Sequence, residues 1–460
     1  VQTDSALNKR FLRSILSDSP RSLVSSPGVD LTTVAKFGLA ARSRQLVRDV
    51  TLFALIVLTV VLSATGMGAG AYILGYVAAV GVLWFEQFVT SYRVLAPQLR
   101  RDVFDPGHAP EPTSTAERQR LSEVTARDHG NVTVFGAYTP FIGRGARFAG
   151  FHFGLALTAE PGHAPVPFSI HEVHDHVSAA VSAMGMHGVT VEDELFVSGL
   201  DLLDQLDPGT AAQLLPNLLE APNSQVDAAT VRRLWDEPRG RARPYVAIRV
   251  TGWSGEVVVT ILLRLVLNAT RDVLYVETDY LLLPPVRERY RDVDRLSSRP
   301  TLRQEARMAR AAMKLAPVTT VLAMSNIIDV AASPLRDFFE HRRDVRAIQQ
   351  DRNFNYGADF SVREAATDHL YYRYFQSSDQ KLYTEVAERT IVRALVNFLE
   401  ARHYEVSELV NRQMLINNGV MVGSHAFVGA PIAGGAGARA QNFLKNLPGM
   451  GGGRAKGAQP

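Results

Sequence analysis

Hydrophobic positions are distributed very unevenly along this chain. Between Asp49 and Glu86 no residue is charged, and Val, Leu, Ile, Ala, Phe and Gly dominate the run. As a single helix that run would rise about 54 Å, against about 30 Å for the hydrocarbon core of a bilayer. Gly66, Gly68 and Gly70 fall near its middle, where glycine can take the positive φ of a turn. The pattern predicts a two-helix transmembrane hairpin over residues 50–92, with spans at 51–65 and 71–90 and with Tyr72, Trp84 and Tyr92 as interfacial anchors. Soluble helices rarely run this far without charge, and the basic segment ahead of the run is too long for the leader of a signal peptide.

Beyond the hairpin the pattern changes period. A Pro-rich stretch around residues 105–112 reads as a linker occupying 93–114. Residues 115–290 then read as an α+β domain. Strands are expected at 132–138, 148–157 and 189–197, a helix at 170–184, and an antiparallel meander at 245–251, 256–267 and 273–283. The short connections at Trp253-Ser254-Gly255 and 268–272 have hairpin length, and Pro284-Pro285 ends the ladder. From 291 to 418 the chain reads as helical: a basic helix, then an apolar run at 315–328. At 14 residues that run is too short for a comfortable span and suits a buried or interfacial helix. Ser361-x-x-Glu364 and Ser377-x-x-Gln380 have capping-box spacing, and Tyr383, Ala387, Ile391, Ala394, Leu395, Phe398 and Leu399 share one helical face. Residues 419–460 read as a flexible Gly-rich tail. The fold class is therefore α+β with an N-terminal transmembrane hairpin and a helical C-terminal block.

Composition removes whole classes of chemistry. With no cysteine among 460 residues there are no disulfides, thiolate nucleophiles, iron–sulfur clusters or Cys-based zinc sites. The net charge of +3 is small, but its placement orients the hairpin. Lys9, Arg10, Arg13, Arg21, Lys36, Arg42, Arg44 and Arg48 precede the first span, Arg93, Arg100 and Arg101 follow the second, and the loop between has no charge. The positive-inside rule then puts both termini in the cytoplasm.

The densest chemical cluster is His171-Glu172-Val173-His174-Asp175-His176. On a helix, His171, His174 and Asp175 share one face and offer two imidazoles and a carboxylate to a divalent metal, although the histidines stand three apart rather than the four of a zincin helix. The alternative is a solvated helix start. Gly143-Arg144-Gly145-Ala146-Arg147 lacks the third glycine of a dinucleotide loop, and no P-loop or Gly-x-Ser-x-Gly elbow occurs anywhere. Arg144 and Arg147, together with Arg287, Arg289 and Arg291, are candidates to face a membrane surface or an anion. Nucleic acid is the disfavoured reading of those arginines. Gly75 and Gly81 offer small surfaces for helix packing and hence for a homo-oligomer.

Three further stretches belong together: Tyr138-Thr139-Pro140-Phe141-Ile142-Gly143-x-Gly145, Leu283-Pro284-Pro285-Val286-Arg287-x-x-Tyr290, and Phe354-Asn355-Tyr356-Gly357-Ala358-x-x-Ser361-Val362-Arg363-Glu364. In these the chain resembles a group of uncharacterised actinobacterial integral membrane proteins with a short helical hairpin and a large cytoplasmic part. The resemblance implies membrane placement and supplies no catalytic residues. With no complete catalytic constellation, the expected function is a membrane-anchored cytoplasmic scaffold or adaptor. It would self-associate, bind the lipid bilayer and an unidentified cytoplasmic protein, and need no cofactor. The alternatives are a membrane-bound metal-dependent hydrolase using His171, His174 and Asp175, and a small pore-forming membrane effector.

Overall fold

The computed structural model describes residues 2–411 except 18–19, 238–239, 351, 353 and 369–370. The expected Gly-rich tail at 419–460 lies outside the described residues. Helices α1 (Ser5–Leu12), α2 (Leu31–Leu62), α3 (Ala69–Val89) and α4 (Thr115–Arg127) precede strands β1 (Val132–Phe135) and β2 (Ala146–Ala156). Then come α5 (Ile170–Ser182), β3 (Val189–Ser198), α6 (Pro208–Leu214), α7 (Ala228–Trp235), β4 (Ala242–Gly252), β5 (Val257–Leu267) and β6 (Val273–Leu283). The chain closes with α8 (Glu288–Arg291), α9 (Leu302–Gln349), α10 (Val362–Ala365) and α11 (Tyr374–Glu400).

The six strands form one mixed sheet in the order β1-β3-β4-β5-β6-β2. The β4-β5-β6 meander is antiparallel throughout, as its hairpin-length connections require. Only the β1–β3 pairing is parallel. Alternation divides the central strand between two faces: Val259, Ile261, Leu263 and Leu265 of β5 enter the main core, while Thr260, Leu262 and Arg264 take the opposite face. The apolar stripe of α11 covers the main core with α5, so Ala387, Ile391, Leu395 and Leu399 meet Val173, Val177 and Val181 within it. Ser169 and Glu172 close a capping box that starts α5.

The hairpin is present and its reversal sits where expected. α2 ends in a widened turn at Ser63–Met67, Gly66 takes φ 107° and Gly68 φ 51°, and α3 begins at Ala69. Two boundaries differ from the sequence reading. α2 starts at Leu31, because Asp30 caps it by accepting from the Thr33 amide. Its first half packs Leu31, Ala35 and Leu39 against Phe11, Leu12 and Ile15, with Leu121 of α4 and Val362 of α10, so the described residues up to 49 belong to a folded layer. The apolar run at 315–328 is the middle of α9, a helix of 48 residues. Thr301 and Gln304 form its capping box, and the charged stretches on both sides of the run continue the helix rather than end it. Among the described residues, three helices are thus long and apolar enough to cross a membrane: Leu31–Met67, Ala69–Leu99 and Leu302–Gln349.

Candidate functional site

Small residues let α2, α3 and α9 approach closely. Ala79 and Leu83 of α3, Leu52 of α2, and Ala312, Ala316 and Ala323 of α9 form one buried cluster. The Tyr76 hydroxyl donates to the Met313 carbonyl at 3.0 Å, and the Asn326 amide donates to Asp49 Oδ2 at 3.0 Å. α9 therefore meets α3 near its start and α2 farther along. Within the hairpin, a Cβ on Gly75 would collide with the Thr59 side chain, whereas one on Gly81 would meet open space. The outward side of the same three helices is apolar. Val57, Val61, Ile73, Val77, Val318 and Val321 are all exposed.

At the base of this layer the polar groups gather. Asp49 is buried, and its Oδ1 accepts from Arg48 Nε at 2.8 Å and Nη2 at 2.7 Å. Beside it a cavity of about 320 Å³ opens between α1, α2 and α9. No sequence signal marked it, because its walls come from three segments far apart in the chain.

The stretches that carried the resemblance meet at one junction. Glu364 Oε1 accepts from the amides of Gly143 and Gly145, both at 2.8 Å. Both glycines have positive φ, and a Cβ on Gly145 would run into the Leu282 carbonyl. The Ala358 amide donates to the Val134 carbonyl, Ser361 Oγ bonds Ser26 Oγ at 2.8 Å, and Val286 bridges to Thr367. These motifs tie the N-terminal layer, the sheet and the C-terminal segment together, which is a structural role.

Ionisable groups line the second face of the sheet. Arg144 is buried and pairs bidentately with Glu194, at 3.1 and 2.9 Å, while its third nitrogen donates to the Ser25 carbonyl. Burial alone would raise the Glu194 carboxyl, but Arg144 and Arg249 outweigh it and hold it below the usual range. Tyr245 donates to Glu277 at 2.9 Å, and burial, then the Glu277 charge, pushes its phenol well up. The other four candidate arginines are also engaged. Arg147 pairs with Asp279, and Arg287 donates to the Thr367 carbonyl. Arg289 binds Asp4, and Arg291 lies 3.5 Å from the centroid of the Tyr372 ring. The structure thus gives each of the five an internal partner.

The histidine cluster separates on folding. His171 Nε2 turns to Asp236 at 3.0 Å, while His174 places Nδ1 3.1 Å from Asp175 and Nε2 2.8 Å from Asp193. Asp175 also takes Arg232 at 3.0 Å. Burial disfavours the charged form of His174, but Asp193 and Asp175 outweigh burial and raise its pKa. Among the described residues, the ligand atoms that converge, within 4.8 Å of one another, belong to Glu160, His163 and His403. Glu160 and His403 are joined by a backbone hydrogen bond, and the His163 and His403 rings stack at 4.8 Å. Sequence reading missed this trio because His403 lies some 240 residues away in the chain.

Residues 151–428, more than half of the chain, match the model of a family described as an AbeC-like domain. That span begins within β2, covers β3 to β6, α9 and α11, and leaves β1 and the α2–α3 hairpin outside. No curated protein and no solved structure matches the chain.

Proposed function

We propose that this chain, which belongs to the AbeC-like domain family, is a membrane-anchored scaffold that holds its α+β domain at the cytoplasmic surface and self-associates through the hairpin. One observation carries the reading. The outward faces of α2, α3 and α9 form a shared apolar surface, yet every segment leaving those helices returns to the same folded body. Residues before the hairpin pack on α4 and α10, and the Arg101 amide just after it donates to Asp294. Val286, ahead of α9, bridges to Thr367, while Ile348, Phe354 and Tyr356 at and beyond its end enter the main core.

An anchor that crosses twice leaves both flanks on one side, which suits the hairpin. A single crossing by α9 would put β6 and α11 on opposite sides of the bilayer, although they share a core. α9 therefore does not cross; it packs obliquely along the hairpin, from Tyr76 on α3 to Asp49 on α2, with its apolar face toward lipid. Positive flanks and the uncharged turn at 63–70 favour a cytoplasmic body. Self-association falls to the open Gly81 side, since Thr59 already occupies Gly75.

Because the chain has no cysteine, single cysteines report without background. Met67→Cys, Ser298→Cys and Gln350→Cys, placed at the hairpin turn and on either side of α9, would be labelled in native membranes with an impermeant maleimide. Met67→Cys should react from one side, and Ser298→Cys and Gln350→Cys both from the other. Labelling of the last two from opposite sides, or release of the protein by alkaline carbonate, would overturn the reading.

The structure favours neither alternative. His171 and His174 point to different carboxylates, so a hydrolase built on them with Asp175 requires regrouping. Metal analysis of the full chain before and after changing both histidines to Ala tests that option directly. The hydroxyls of Thr59 and Thr65 donate to their own helix at 2.7 and 3.0 Å, which leaves little to line a pore.

A further inference from the structure

We infer that the cavity between α1, α2 and α9 is a binding site for the phosphate headgroup of an anionic phospholipid. The inference rests on the membrane placement above and adds a ligand to it. Five cations line the cavity, Lys9, Arg13, Arg42, Arg48 and Arg336, against three acids, Asp49, Asp329 and Asp337. Two of the cations are satisfied within the protein: Lys9 pairs with Asp329, and Arg48 with Asp49. Arg336 Nε stands 4.0 Å from Asp337 Oδ1 and 3.9 Å from Glu340 Oε1, two ion pairs longer than a hydrogen bond. Arg13 acts on Asp329 only at a distance, Arg42 makes no hydrogen bond or ion pair among the described residues, and five cations against three acids give the lining a net charge of +2.

The guanidinium groups of Arg13 and Arg42 line the cavity, and cations without a hydrogen-bonded carboxylate at such a wall call for an oxyanion.

Location selects the lipid over a soluble phosphate. Asp49 lines the cavity and Val50 begins the uncharged run. Val47 and Val50 on α2 and Ile328 on α9, each next to a lining residue or one removed from it, are exposed apolar side chains. A volume of about 320 Å³ is at the lower end of small-ligand pockets, room for a headgroup but not for its chains. The acyl chains would lie along the apolar outer faces, as in other basic pockets at the cytoplasmic ends of membrane helices.

The test uses the full chain, delipidated in nonionic detergent, with phosphatidylglycerol, phosphatidylcholine, glycerol 3-phosphate and inorganic phosphate as separate probes. Native mass spectrometry should show one phosphatidylglycerol retained per chain in preference to phosphatidylcholine. Arg42→Gln and Arg13→Gln should each weaken retention about 5-fold, as expected for one cation near an anionic headgroup. Arg118→Gln, at an exposed arginine of α4 outside the cavity lining, serves as the charge control. Arg13 is exposed, so its replacement keeps the test valid should the Arg42 variant fold poorly. Equal retention of the two lipids, or equal loss with Arg118→Gln, would overturn the proposal. Protection by inorganic phosphate or glycerol 3-phosphate at the same concentration would overturn the lipid assignment. Failure here with normal membrane insertion would leave the anchor standing, whereas failure to insert into either lipid would remove the anchor itself.

Discussion

Glu388 sits on α11 beside Ala387, a core residue, and burial together with the neighbouring Glu385 pushes its carboxyl up to about 7. A raised acid pKa means that the folded state holds its proton more tightly than the unfolded chain. The associated stability is complete below the unfolded value near 4.5 and is lost as pH rises through about 7. His174, also raised, adds a loss of the same sign on going above the ordinary histidine range. The wild-type chain should therefore unfold at a lower temperature at pH 8 than at pH 5. Glu388→Gln should remove much of that difference, gaining on the order of 1–2 kcal/mol at pH 8 after allowance for partial solvent screening. Thermal melts of both proteins at the two pH values check it. Glu194 is the opposite case, an ionised carboxylate held by Arg144 and Arg249. Glu194→Gln leaves the buried Arg144 without its carboxylate, while Arg249 keeps Glu192 at 2.9 Å, and should cost about 3 kcal/mol, read by denaturant unfolding. The pairing of Arg144 with Glu194, fifty residues on, was not legible in the sequence. A basic glycine loop there looks the same whether its arginines face solvent or fold inward.

At the scale of elements, the two glycines of α3 sit in different surroundings that sequence spacing had merged. Gly75 lies against Thr59 and Gly81 against nothing. Gly75→Leu should pry α3 from α2 and lower the thermal midpoint of the detergent-solubilised protein. Gly81→Leu should leave that midpoint unchanged and shift the particle-size distribution toward the monomer. If Gly81→Leu leaves the size distribution unchanged, the hairpin is not the oligomer contact. The meander was legible because its three strands are consecutive and their turns short, so local chemistry settles the pairing. α9 was not. Its apolar centre and charged ends read as separate pieces, and only Ala312, Ala316 and Ala323 packing with the hairpin cluster shows why one helix should run through both.

For the whole molecule, α9 changes what removing the hairpin would do. Replacing the segment between Asp49 and Glu86 with a Gly-Ser linker deletes the hairpin but leaves Val318, Val321, Leu322 and Ile328 exposed, and newly uncovers the alanine face that the hairpin had packed. The truncated chain should remain detergent-dependent, sedimenting as aggregate without detergent and as a discrete particle with it. A monodisperse soluble product would show that α9 has no apolar partner to lose.

Uncharged length, periodicity and turn residues determined the hairpin, the meander and the C-terminal helix from the sequence alone, because each depends on neighbours within a few dozen residues. Tertiary structure alone decided which charges are spent internally, which histidines meet, and where a cavity opens. Those outcomes join segments hundreds of residues apart: Glu364 reaching Gly143 and Gly145, His403 stacking on His163, and α1, α2 and α9 closing around a basic hollow. Local composition carries no record of such meetings, since the free energy that sets them belongs to the packed whole.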